Sequence, residues 1–133
     1  MNFPIKIKTM EMPKRFLFLD DVRYPVDAYH YTKQDIFLRK DWHIVRNYEE
    51  FVNRILEKGL PEMISFDHDL ADENYLKPNS QEIAEKTGYD CAKWLIEYCM
   101  DNHIDLPEFY CHSMNPVGKE NIVGLLKNFK NLK

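Results

Sequence analysis

The sequence predicts an α/β fold, a mostly parallel sheet with helices packed on its faces. Three observations point there. The run "RFLFL" at 15–19 is apolar without alternation, as a strand buried on both faces must be. Strand-like runs alternate with helix-like ones along the rest of the chain, the order that builds parallel sheets. Each of three apolar runs also ends in polar chemistry: Asp20 and Asp21, then Asp67, His68 and Asp69, then His112, Ser113 and Asn115. Open α/β sheets bind their ligands outside the carboxyl ends of the strands, so these three clusters fall at equivalent positions.

The elements follow in order. Residues 1–14 alternate weakly at Ile5 and Ile7 and read as a tail or an added edge strand, before a domain spanning 15–133. After the first strand, 24–40 shows no clean period, although it carries Tyr24, Tyr29 and Tyr31. "WHIV" at 42–45 is a short second strand. A helix then opens at Asn47, with Glu50 three residues on as in a capping box; Tyr48, Phe51, Val52, Ile55 and Leu56 form its apolar stripe. Gly59 and Pro61 stop it. The third strand is predicted at 62–66. A long polar segment, 71–87, follows, and a segment of that length inside a compact domain is expected to close over a ligand. Thr87 caps the next helix with Asp90, and Ala92, Leu95, Ile96 and Cys99 supply its buried face. The last strand lies near 108–112. The last helix opens at Asn115 and Pro116 and buries Ile122, Leu125, Leu126 and Phe129.

Composition excludes several classes. The 133 residues suffice for one domain with a real core. A net charge of −4 speaks against a protein held on duplex nucleic acid by bulk electrostatics, but not against a small phosphorylated ligand met by local cations. No apolar run reaches the roughly 18–20 residues of a membrane span, and the first residues contain no apolar secretion core, so a cytoplasmic protein is expected. Cys91 and Cys99 on one helix would stand about 12 Å apart, beyond disulfide reach. With Cys111 in a strand and no C-x-x-C, the three cysteines read as reduced structural thiols. The tyrosines and tryptophans read as core or rim, and His30, His43 and His103 lie outside the polar clusters.

The charge at the strand ends sets the chemistry. Two carboxylates ~4 Å apart repel by ~4 kcal/mol at an effective dielectric near 20, a large share of the ~5–15 kcal/mol that holds a domain together. Some of these acids must be protonated, or a cation must sit among them. A divalent ion with oxygen ligands, magnesium or manganese, is the simplest solution. Other readings stay open: Ser113 and Asn115 as helix caps, His112 as a satisfied core histidine, His68 as a hydrogen-bonded support, Arg23 as a plain neutraliser of the acids.

The ordered set "LFLDDVRYP", "ISFDHDL", "TGYDCAKWL" and "HSMNPVGKENI" resembles the cyclic-phosphate-processing receiver-like family of bacteria and phages, over roughly 15–126. The resemblance implies a three-layer sandwich with a receiver-like (flavodoxin-like) sheet. It also implies an acidic site that handles cyclic phosphates, in cyclic nucleotides or RNA ends. By that resemblance Asp20 and Asp21 match a metal-binding acidic pair, Asp67 a phosphoacceptor position and Ser113 the hydroxyl after the fourth strand. A receiver normally adds a fifth strand ending in a phosphate-contacting lysine; here one helix, 117–130, is predicted instead. His68, Asp69 and His112 have no counterpart in a signalling receiver. These departures suit hydrolysis better than stable phosphotransfer. The expected enzyme is a metal-dependent phosphoesterase in which Asp20, Asp21 and Asp67 hold the ion. His68 and His112, with Asp69, would do the acid–base work, and Arg23, Ser113, Asn115 and Lys119 would bind phosphate. A phosphoacceptor switch and a non-catalytic cyclic-nucleotide binder are the alternatives.

Overall fold

The computed structural model describes residues 15–70 and 86–132. Its elements are β1 (Phe16–Leu19), α1 (Pro25–Thr32), a 3-10 turn (Asp35–Leu38), β2 (Trp42–Val45), α2 (Tyr48–Lys58), β3 (Met63–Phe66), α3 (Gly88–Asn102), β4 (Glu108–Cys111) and α4 (Pro116–Leu132). The four strands form one sheet in the order β2-β1-β3-β4, and all three pairings are parallel. The fold is the receiver-like α/β sandwich, with four strands among the described residues. Residues 1–14, read as tail or edge strand, and 71–85, the bulk of the segment expected to close over a ligand, lie outside the described residues.

The strand order decides which helices cover which face. The chain leaves β1 in one direction along the sheet to reach β2, then runs the other way to β3 and β4. Right-handed crossovers then put α1 on one face and the later helices on the other. The two cores agree. Leu17 and Leu19 of β1, with Ile64, Phe66 and Cys111, pack under Phe51 and Ile55 of α2, Leu95 of α3, and Ile122 and Leu126 of α4. Phe16 and Phe18 point to the opposite face, where Ala28 of α1, Phe37 of the 3-10 turn and Trp42 cover them. All four β1 residues are buried, as the unbroken apolar run requires.

Local chemistry places the helices. The Asn47 side chain accepts the Glu50 amide at 2.8 Å. The Glu50 carboxylate reaches past the cap to the Arg46 amide, also at 2.8 Å, so the reciprocal capping bond is displaced by one residue. On α2, Phe51 and Ile55 are fully buried and Tyr48 and Val52 pack beside them, whereas Leu56 is 60% exposed, so the predicted stripe loses its edge. Thr87 caps α3 through the Asp90 amide, and the Asp90 carboxylate accepts the Thr87 amide at 2.8 Å. Asn115 opens α4, its Oδ1 accepting the Gly118 amide at 3.0 Å. The segment without a clean period contains α1, capped by Asp27 on the Tyr24 amide at 2.8 Å, with Pro25 at its first turn. The three cysteines are free and buried.

Two glycines fix the loop after β3. A Cβ on Gly88 would overlap the Asp67 carbonyl, and one on Gly118 would overlap the His68 ring. The first turns of α3 and α4 therefore close tightly on the Asp67–His68 backbone and ring. Gly124 of α4, by contrast, faces open space. Gly88→Ala is expected to lower the unfolding free energy by about 2 kcal/mol or more. Gly124→Ala should raise it by about 0.5–1 kcal/mol, since a helix interior favours alanine. Urea titrations of both variants check this.

Candidate active site

Asp20 follows β1 and is fully buried. Its Oδ1 accepts the backbone amides of Val22 at 3.0 Å and Arg23 at 2.8 Å. Its Oδ2 takes His112 Nε2 at 3.0 Å and Arg23 Nη1 at 3.3 Å. Burial alone would raise this carboxyl's pKa, but the His112 hydrogen bond and the two amides outweigh it and pull the value down to about 2. Arg46 pins the same loop from outside, donating to the carbonyls of Asp20 at 3.1 Å and Arg23 at 2.7 Å.

Asp67 follows β3, the neighbour of β1, and is just 4% exposed. Its carboxylate takes a backbone hydrogen bond from His68, and among the described residues the nearest cation is Arg23 Nη1 at 3.9 Å. Burial and the Asp20 charge push its pKa up to about 7, with Arg23 pulling weakly the other way. Asp21 is half-buried beside them, its pKa raised by burial and by the charge of Asp20. Two carboxylates of one pocket are thus driven apart in pKa, one clamped as the anion and one loosely held.

His112 ends β4 on the α1 side of the sheet. Its ring stacks on Phe18 with centroids 4.3 Å apart and takes the Phe37 ring edge-on. Nδ1 meets the Ser65 hydroxyl at 2.7 Å and Nε2 meets Asp20. Burial lowers its pKa against the raising effect of Asp20, so the neutral ring donates Nε2–H to Asp20 and accepts from Ser65. Both nitrogens are engaged, and the ring is buried. This departs from the expectation that His112 shares the acid–base work: its position is that of a support for Asp20.

The second histidine is placed differently. His68 Nδ1 contacts Asp69 Oδ1 at 2.8 Å, and Asn115 Nδ2 lies 3.3 Å from both Asp69 oxygens. His68, Asp69 and Asn115 form one chain, and among the described residues no side chain takes His68 Nε2. Asn115 therefore holds Asp69 and caps α4 at once, and is not turned toward a ligand as expected. Ser113 is 7% exposed, with Oγ accepting the Asn115 amide at 3.1 Å. A cleft of about 460 Å³ opens beside these strand ends, lined by Tyr31, Tyr110, His112, Ser113, Met114 and Lys119 among others.

Metal capacity can be judged from the donors. One ligand atom each from Asp20, Asp67 and His112 lies within 4.8 Å of the other two. His112 Nε2 is already spent on Asp20, so the donors open to a hard cation are Asp20 Oδ2 and Asp67, with Asp21 adjoining. Arg23 Nη1 holds that position now, and a cation there would displace it.

Sequence reasoning missed Ser65, Tyr31 and Arg46. Ser65 had a signal, being the polar residue inside the buried run "MISF". Tyr31, whose hydroxyl donates to the His112 carbonyl, lay in the segment without a period. Arg46 had none.

Residues 15–128 match the family described as Cyclic-phosphate processing Receiver domain. No curated protein and no solved structure matches the chain. No helix among the described residues is long and apolar enough to cross a membrane.

The split pKa values predict a pH dependence in metal-free protein. The Asp67 carboxyl, raised from 3.8 to about 7, folds without penalty below pH ~4; its penalty grows as pH rises to about 7 and is constant above. Asp20 acts oppositely, its stabilisation being lost as pH falls below 3.8 toward 2. Asp67→Asn should therefore stabilise the chelated protein by a few kcal/mol at pH 8 and by almost nothing at pH 4, read as Tm differences.

Proposed function

The chain belongs to the cyclic-phosphate processing receiver domain family, and from that premise we propose that it is a metal-dependent phosphoesterase. Its substrates are cyclic phosphates, in cyclic nucleotides or at 2′,3′-cyclic-phosphate RNA ends. The observation that carries the reading is the meeting of buried Asp20 with buried, loosely held Asp67 at the adjacent ends of β1 and β3. Magnesium or manganese would be held by Asp20 Oδ2 and Asp67, with Asp21 beside them. When bound, such an ion polarises a phosphate oxygen and acidifies water.

The chain's own groups supply the rest. Asp67 gives up its proton on taking a cationic partner and becomes the second fixed anion. His112 holds Asp20 in one rotamer through Nε2, as Ser65 holds His112. His68, oriented by Asp69, receives the proton of the attacking water at Nε2. The water oxygen bonds to phosphorus as one ring P–O bond breaks, and the same proton passes to the departing hydroxyl oxygen. The products are a phosphomonoester and a free hydroxyl. Ser113, whose hydroxyl hydrogen is not used by the Asn115 amide, and Lys119 at the cleft rim bind the remaining phosphate oxygens. Arg23, displaced from the acids, is placed to join them.

Asp67, with no side-chain hydrogen bond among the described residues, and Ser113 after β4 also suit a phosphoacceptor switch. That reading predicts acid-labile phosphate on Asp67 after treatment with a small phosphodonor, and no turnover. The hydrolase reading predicts turnover of 2′,3′-cyclic nucleotides or cyclic-phosphate RNA ends with manganese or magnesium, and none after chelation. A panel showing no metal-dependent hydrolysis by the wild-type protein overturns it. His68→Gln should lower kcat by about 100-fold or more, and Asp69→Asn by less.

Arg23→Ala gives an independent readout. It removes the cation now facing both acids, so the Tm of the chelated protein should fall, while manganese should bind severalfold more tightly by calorimetry. Unchanged manganese affinity would show that the ion does not compete with Arg23.

A further inference from the structure

The cleft beside β4 has an aromatic and thioether lining that the phosphoesterase chemistry does not use. Tyr31 and Tyr110 face it from α1 and β4, Met114 sits on its rim, and Lys119 reaches it from the first turn of α4. It adjoins the acidic pocket rather than lying apart from it: His112 and Ser113 line it, and Arg23 Nη2 lies 3.3 Å from Met114 Sδ. At about 460 Å³ it falls within the usual range for a small organic ligand, ~300–1,000 Å³.

Its side chains are held by their neighbours, with a cation set over each tyrosine ring. Tyr31 is anchored at its hydroxyl by the His112 carbonyl, with the Arg23 guanidinium 5.4 Å from its ring centroid. Tyr110 is braced edge-on by Phe37 at 5.5 Å, and the Lys119 ammonium is 5.9 Å from its ring. Met114 is 60% exposed, an adaptable thioether left in solvent next to two aromatic rings. A phosphate needs the cations but has no use for two phenol rings and a thioether. A glycerol or inositol cyclic phosphate offers hydroxyls and no flat apolar face. A purine or pyrimidine offers that face, and bases stack on aromatic rings with little regard to sequence.

We propose that this cleft is a base subsite, so that the substrate is a nucleoside cyclic phosphate. Its base packs on Tyr110 and Met114, and its phosphate lies between Lys119, Ser113 and the Asp20–Asp67 pair. The proposal rests on the phosphoesterase reading for its reacting group but not for its binding energy. One nucleoside fills the cleft; further nucleotides of an RNA would lie outside it.

Calorimetry with adenosine 3′-monophosphate, ribose 5-phosphate and inorganic phosphate, with and without manganese, tests it. The nucleotide is expected to bind about tenfold or more tightly than ribose 5-phosphate, the scale of one base–aromatic stack. Tyr110→Ala should erase that preference, Tyr110→Phe should keep it, and inorganic phosphate should bind all three proteins alike. Met114→Ala, at an exposed position that folding does not depend on, should reduce the preference severalfold. Equal binding of nucleotide and ribose phosphate by the wild type overturns the proposal, as does a preference that survives both Tyr110→Ala and Met114→Ala. The two readings fail separately. A base preference without any turnover sinks the hydrolase and keeps the subsite. Equal hydrolysis of glycerol cyclic phosphate and a nucleoside cyclic phosphate keeps the hydrolase and sinks the subsite.

Discussion

Two carboxylates meet at the ends of adjacent parallel strands with one arginine to serve both, and the rest of the site is arranged around that constraint. Asp20 receives everything the neighbourhood can donate: two loop amides, an imidazole N–H and a guanidinium. Asp67 receives a guanidinium nitrogen at 3.9 Å. The asymmetry follows from the backbone. The chain after β1 curls back so that two of its amides cap Asp20, whereas the chain after β3, pinched by the first turns of α3 and α4, offers Asp67 one backbone bond, from His68. A fold that fully satisfied both acids would hold them as a structural pair. This one satisfies the first and leaves the second wanting a cation.

The same economy explains the histidines. His112 is surrounded by Phe18, Phe37, Ser65 and Asp20, a setting in which the ring is neutral and both its nitrogens are taken. A residue so placed transmits position, not protons: the core of the α1 face, through Phe37 stacked on Trp42, bears on the rotamer of Asp20. His68 has the reverse setting, with one nitrogen oriented by a solvent-exposed carboxylate and the other without a partner among the described residues. Sequence placed the two imidazoles in one role because both follow an apolar strand. What separates them is which face of the sheet each enters, and that depends on one-residue register at the strand end.

Legibility in the sequence tracked the strength of local signals. β1 was readable because "FLFL" is buried on both faces; α2 and α3 were readable because Asn47 and Thr87 are side-chain caps followed by apolar periodicity. α1 was not, because Ala28 is the one residue of its eight that is buried, so no stripe forms. Leu56 misled for a related reason: it continues the α2 periodicity, yet it lies at the stripe's edge and is 60% exposed. The acids were found from their place after strands, which is a topological signal. Their partners, Ser65 and Arg46, were not, because both act across strands, and the one local signal, a polar Ser65 inside a buried run, names no partner. The family's "TGYD" and "NPVGK" segments gain a physical reason in Gly88 and Gly118, which let two helices approach Asp67 and His68.

Arg23 ties these threads together. It lies three residues after Asp20, within reach of both acids, and its far nitrogen already touches Met114 at the cleft rim. A guanidinium spans the pocket without the compact charge of a divalent ion, so it neutralises Asp20 well and Asp67 poorly. Whatever compact cation enters gains from the unmet charge on Asp67 and loses by displacing a contact of 3.3 Å on Asp20. The guanidinium's existing contacts with the Tyr31 ring and Met114 lie toward the cleft, where the proposed phosphate would need positive charge. In the proposed enzyme, loading the acids and charging the cleft would then be one motion of one side chain, and electrostatics would put the metal before the anion.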